Sequence, residues 1–172
     1  MPPELPEKLL FPKVSEEMLA AIGAVATQWS LLEFYMDRFT WALAGMRDVA
    51  GACLTAQIGS LPRRLDAIIS LVRLRNLDGQ IVAELNKFAQ ASGDLSRQRN
   101  RIVHDTWSTG TETDKTYKLE ITAVKTPVFK FEEFTVQQIL DVAKDIQRHR
   151  FRWNALEEKI IAALPSEISS DA

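Results

Sequence analysis

The chain has 172 residues, enough for one domain that buries roughly 70% of its unfolded surface. Its composition, 46% hydrophobic and 26% charged, is ordinary for a globular fold, and a formal charge of −2 excludes a generically basic, nucleic-acid-coating protein while leaving room for a local basic site. A single cysteine, Cys53, and only two histidines, His104 and His149, exclude a disulfide framework and a multi-cysteine zinc site.

Residues 1–14 contain Pro2, Pro3, Pro6 and Pro12. Proline has no amide donor and restrains its predecessor, which predicts an extended arm. No apolar run of signal-peptide length occurs here. Ser15, followed by Glu16 and Glu17, opens a long helix, because carboxylates suit the first turn. Leu19, Ile22, Val25, Trp29, Leu32, Phe39 and Leu43 recur along it at spacings of three and four. Gln28, Glu33, Asp37 and Arg38 interrupt the apolar stretch, which argues against a membrane span and for a cytoplasmic protein. Trp29, Phe34, Tyr35, Phe39 and Trp41 read as core, and their spread around the helix points to a bundle or a dimer seam.

A weaker helix is predicted from about Asp48 to Ile58, and Cys53 within it reads as a buried, inert thiol. Ser60 and Pro62 mark the start of another helix, carrying Leu65, Ile68, Ile69 and Val72. Asn76-Leu77-Asp78-Gly79 is a turn, after which Ile81, Leu85, Phe88, Leu95, Ile102 and Val103 predict a helix running to about His104. The period then changes. Thr109–Asp114 reads as a polar loop, Tyr117–Ala123 alternates as a half-buried strand, Lys125-Thr126-Pro127 turns, and Val128–Glu132 returns. Thr135 and Gln138 form a capping box for a last helix, with Ile139, Val142, Ile146, Trp153, Leu156 and Ile160 inward and Leu164-Pro165 as its stop. The expected fold is therefore mainly α. It is an antiparallel four- or five-helix bundle over 15–164, with a β-hairpin inserted at about 115–133 before the last helix and a disordered tail over 165–172.

Most catalytic templates are missing: there is no phosphate loop, no Gly-x-Gly-x-x-Gly, no Gly-x-Ser-x-Gly elbow and no metal-ligand spacing. Neither a cofactor nor a metal is expected. One segment carries chemistry, Arg97-Gln98-Arg99-Asn100-Arg101-Ile102-Val103-His104-Asp105-Thr106-Trp107. Arginine offers a permanently charged fork of donors that suits phosphate, and histidine moves protons near neutral pH. Together these are the ingredients for metal-free cleavage of an RNA phosphodiester. On a continuous helix Arg97 and Asn100 lie beneath His104, whereas Arg99 stands about 140° away. Arg99 and His104 are expected to meet only if the helix bends or stops early, or if a second copy supplies the partner.

The run Arg99-Asn100-Arg101-Ile102-Val103-His104 resembles the Arg-Asn-x-x-x-His signature of the HEPN superfamily. Its nearest form is Arg-Asn-x-x-Val-His-x-Tyr, found in toxins paired with minimal nucleotidyltransferases, and here Thr106 stands at the tyrosine position. The resemblance implies a helical core that forms a homodimer, with two motifs facing one cleft, and metal-independent endoribonuclease activity of toxin or defence type. It implies Arg99 on phosphate, Asn100 positioning the site and His104 in proton transfer, with an antitoxin or nucleotidyltransferase as protein partner. Arg97 and Arg101 are added from their charge alone, as phosphate or RNA contacts.

A second class of function stays open, a non-catalytic helical module that binds a protein or nucleic acid. In that case His104 and the arginines end a helix and pair with Asp94 or Asp105. Trp107 reads as a core aromatic, and His149, between Ile146 and Trp153, as a partly buried histidine at a helix interface. Its neighbours Arg148 and Arg152 are alternative cations for the site, and Arg63, Arg64, Arg73 and Arg75 read as surface.

Overall fold

A computed structural model describes residues 7–11, 13–122 and 128–165. Its elements in chain order are β1 (Leu9–Leu10), α1 (Glu16–Ala44), α2 (Asp48–Thr55), α3 (Leu61–Leu74), α4 (Gly79–His104), β2 (Thr106–Gly110), β3 (Thr116–Thr122), β4 (Val128–Phe134) and α5 (Val136–Ala163). The fold is mainly helical with a small antiparallel sheet before the last helix. No helix among the described residues is long and apolar enough to cross a membrane. The expectations for residues 1–6, Pro12, the turn at 123–127 and the tail at 166–172 lie outside the described residues. The chain divides into two compact units: residues up to Gln28 with Arg97–Asp145, and Trp29–Ser96 with residues from Ile146 onward.

The first unit holds the sheet, in the order β1-β2-β3-β4, all antiparallel. A single hairpin is too small a description, because Thr106–Gly110 is a third full strand. Thr109 and Gly110 look like loop residues, but their backbone pairs with Leu10 and Leu9 of β1, and Thr109 also opposes Thr116 of β3. Pairing satisfies the backbone groups that a loop would give to water. The arm contributes more than β1. The Glu7 carboxylate accepts hydrogen bonds from Glu112 N, Thr113 N and Oγ1, and Tyr117 Oη. The Thr113 hydroxyl bond, ahead of the others, holds that carboxyl below its ordinary range. A Cβ on Gly110 would fall on the same carboxylate, so a side chain there would displace the Glu7 carboxylate from its present position.

β3 departs from simple alternation. Tyr117 and Lys118 are both buried, while Ile121 is 60% exposed. The Lys118 stem packs inward. Its Nζ lies 4.5 Å from the Phe134 ring centroid and 3.4 Å from Glu132 Oε2, so a lysine assigned outward is covered. Thr135 and Gln138 form the expected reciprocal box: Thr135 N donates to Gln138 Oε1 at 2.8 Å and Gln138 N to Thr135 Oγ1 at 3.2 Å. Ser15 caps α1 by accepting from Met18 N at 3.2 Å.

The second unit centres on Trp153, with the Phe39 ring at 5.4 Å and the Phe88 ring at 5.5 Å. Leu32, Met36, Leu65, Ile68, Leu85, Ile146 and Ile160 are fully buried. Two of the arginines expected at the surface are committed to α1. Arg64 bonds Asp37 at 2.8 Å and Glu33 at 3.2 Å, and Arg75 donates to Leu43 O at 2.9 Å. Asn76 adopts φ 55°, the left-handed conformation that ends α3 in the expected turn. On α2, Gly51 and Thr55 face inward, since a Cβ at Gly51 would fall on the Trp41 ring and Thr55 Oγ1 accepts from Trp41 Nε1 at 3.1 Å. That orientation turns Cys53 outward, where it is exposed and not the buried thiol the apolar run suggests.

Candidate functional site

The candidate cluster lies at the C-terminal end of α4, within the first unit. Ile102 anchors this end, 2% exposed, and its carbonyl accepts from Trp107 Nε1 at 2.9 Å. Trp107 is thus the core aromatic expected, although it sits in β2 and not in a loop, with the Phe134 ring edge-on at 5.6 Å. With Ile102 turned inward, Asn100 and His104 are exposed and Arg99 is half-buried.

Arg99 is the hub. Its Nη1 donates to Asn100 Oδ1 at 3.0 Å and approaches His104 Nε2 at 3.2 Å. The five-residue spacing is spanned without a break, since α4 runs through His104 and Asp105 N still bonds Arg101 O at 3.3 Å. This corrects the expectation that the two side chains cannot meet on one continuous helix. That expectation compared Cα directions, and a long arginine side chain wraps around the last turn. The contact also defines a proton. A guanidinium nitrogen only donates, so His104 Nε2 is the acceptor and its lone pair points at Arg99.

Arg101 and Arg97 are placed differently. Arg101 Nη2 lies 2.9 Å from Glu120 Oε1 on β3, and its Nη1 lies 3.4 Å from Asp105 Oδ2, so its charge ties the helix end to the sheet. Arg97 is exposed and lines a cavity of about 260 Å³ with Arg101, Lys118 and Phe134. Sequence spacing put Arg97 on the His104 face; in the structure Arg99 Nη1 lies 3.2 Å from His104 Nε2. Thr106, at the position of the signature tyrosine, is exposed at the first residue of β2. Glu120 and Lys118 were not foreseen as neighbours of these arginines. Strand alternation shows only which residues share a face and nothing about what lies opposite.

The other histidine belongs to the second unit and is a core residue, 2% exposed. His149 stacks on Phe88 with centroids 4.0 Å apart and an interplanar angle of 11°, and its Nε2 lies 2.8 Å from Ser92 Oγ. Burial first, and the charge of Arg152 second, push its pKa from 6.5 down to about 4. Among the described residues, no group of three His, Cys, Asp or Glu side chains is placed to hold a metal ion. No family model matches this sequence, and no curated protein or solved structure matches it.

Proposed function

We propose that this protein is a HEPN-like, homodimeric, metal-independent endoribonuclease of toxin or defence type, built as an antiparallel helical bundle with Arg99, Asn100 and His104 as its working residues. The observation that carries this reading is the Arg99 guanidinium, which bridges Asn100 Oδ1 and His104 Nε2 at an exposed helix end. In this reading Arg99 is a latch. An incoming phosphate draws the guanidinium away, because a charged acceptor outcompetes a neutral ring nitrogen. That frees the Nε2 lone pair to take the proton of the RNA 2′-hydroxyl. The 2′-oxygen forms a bond to phosphorus, the bond from phosphorus to the 5′-oxygen breaks, and the products are a 2′,3′-cyclic phosphate and a 5′-hydroxyl. The leaving oxygen takes its proton from the His104 of a second copy, and Arg99 stabilises the charge on the phosphoryl oxygens.

Exposed Leu31 and Phe34, three residues apart on α1 at 37% and 50%, support a dimer seam. Arg97 is exposed and Arg101 is held by Asp105 and Glu120, and each meets a second phosphate only by exchanging a partner it already has. An antitoxin or nucleotidyltransferase partner remains part of the proposal through the same resemblance.

The test is cleavage of mixed RNA in excess chelator by wild type and His104→Ala at matched dimer content. Cleavage by wild type alone, leaving a cyclic phosphate, supports the reading. No cleavage by either folded protein replaces it with the second reading, a non-catalytic interaction module. The Arg101 ion pairs and the threonine at position 106 favour that second reading.

A further inference from the structure

We propose that the outer edge of β4 is a self-association surface, on which a second copy of this chain adds its own β4 in antiparallel register centred on Phe131. The pairing is separate from the α1 seam and from ribonuclease activity. The strand that follows His104 is β2, two places in from this edge, so the proposal does not rest on the α4 cluster.

All seven residues of β4, Val128–Phe134, pair with β3, and among the described residues no strand pairs with its other side. Alternate N–H and C=O groups of β4 therefore point outward, a template for another strand. The side chains beside that template are apolar. Phe129 is 47% exposed, and Ile121, opposite it on β3, is 60% exposed. Phe129 and Phe131 share this face, with ring centroids 5.9 Å apart. A lysine in the middle of an edge strand ordinarily bars pairing. Here Lys130, its side chain 60% exposed, is followed two residues later on the same face by Glu132, with Nζ 4.0 Å from Oε1.

That charge order selects the partner and the register. Opposite residues of an antiparallel pair both turn their backbone groups toward each other or both turn them away, so two copies of one strand pair about a residue and never between residues. Pairing about Lys130 or about Glu132 sets like charges directly opposite, which is unfavourable. Pairing about Phe131, the middle residue, is the one choice that engages the whole of β4. It sets Lys130 against Glu132 of the second copy, and Glu132 against Lys130 of the second copy. It also sets Val128 against Phe134 of the second copy at each end, and brings Phe129 of each copy diagonally against Phe131 of the other. Glu132 holds Lys118 through Oε2 at 3.4 Å, which leaves Oε1 for the incoming lysine, and Glu133, opposite Phe129, stays on Lys115. The strand is complementary in charge to its own reverse, so the occupant of this edge is a second copy of the chain.

A cysteine reads the register directly. In a Cys53→Ser background, Phe131→Cys places two thiols on the axis, where the Cα atoms of opposite residues are about 4.5 to 5.5 Å apart and within disulfide reach. Phe129→Cys sets its two copies four residues apart along the strand, about 14 Å, which is out of reach. Mild oxidation of the full chain is expected to link Phe131→Cys into a dimer and to yield at least about tenfold less dimer from Phe129→Cys. Sedimentation tests the charges. Lys130→Glu and Glu132→Lys should each weaken association at least about tenfold alone and recover it when mixed in equal amounts, because the mixture sets opposite charges face to face again. A wild-type chain that stays monomeric up to millimolar concentration, equal cross-linking at both positions, or association that neither charge reversal weakens overturns the proposal. Association through α1 alone gives the last pattern, and RNA cleavage, measured separately, tests the ribonuclease reading. Should Glu132→Lys fail to fold beside Lys118, the two cysteine variants decide the matter alone.

Discussion

The two histidines of this chain are held in opposite ways. His104 is exposed at the end of α4 and receives a hydrogen bond at Nε2 from Arg99. His149 is buried in α5, with its Nε2 2.8 Å from Ser92 Oγ. The first ring is solvent-exposed, with the Arg99 guanidinium 3.2 Å from its Nε2. The second has its face stacked on Phe88 and its Nδ1 enclosed. Residue type is the same in both regions, so the contrast comes from neighbours: a long cation near one ring, a short hydroxyl and an aromatic face against the other. Burial keeps the second ring neutral, with its pKa pushed down to about 4.

The largest effect that can separate the two regions is on activity. If the proposed ribonuclease reading holds, His104→Ala should lower RNA cleavage by about 10² to 10⁴-fold, the usual contribution of a general acid–base group, and shift stability by no more than about 0.5 kcal/mol. Cleavage kinetics in chelator together with a denaturant melt check both parts. A destabilised variant would make His104 a structural residue like His149.

Next comes pH. The folded pKa of His149 lies near 4 against 6.5 when unfolded, so between these values the unfolded chain binds more protons than the folded one. Its contribution to stability is therefore complete above pH 6.5 and is lost as pH falls toward 4, by about 3 kcal/mol over the window. Urea melts at pH 7 and pH 4 measure the loss, and His149→Phe should remove it. If His104→Ala removed it instead, the comparison would be reversed.

Ser92→Ala sharpens the same contrast. It removes the hydroxyl 2.8 Å from the buried His149 Nε2 and should cost about 2 kcal/mol in a chemical melt, with cleavage unchanged. Asn100→Ala is the smallest change expected. It removes the Asn100 Oδ1 acceptor from Arg99 Nη1, so in the proposed reading cleavage should fall by about tenfold in single-turnover kinetics while the melt stays in place.

Much of the fold was legible in local chemistry. The Thr135–Gln138 box, the cap at Ser15, the turn at Asn76 and the periodic faces of α1 and α4 each depend on residues within one or two turns of each other. Such signals survive in a linear string because their partners are only a few positions away. The candidate residues Arg97, Arg99, Asn100, Arg101 and His104 could be picked out of the sequence by type and spacing, but their arrangement could not. Spacing put Arg97 on the His104 face and left open which arginine meets it, because Cα directions ignore the reach of an arginine; in the structure Arg99 Nη1 lies 3.2 Å from His104 Nε2.

Sequence alone determined that the chain is mainly helical, where most helices start and stop, and which short segment gathers cations with a histidine. Only tertiary structure decided that Thr106–Gly110 is a strand, that Lys118 is covered and Cys53 is not, and that Ser92 meets His149 across 57 positions. The division has one physical cause. Helix caps and periodicity are fixed by atoms a few residues apart, whereas strand pairing, burial and the proton on a buried ring depend on whichever distant segment packs against them.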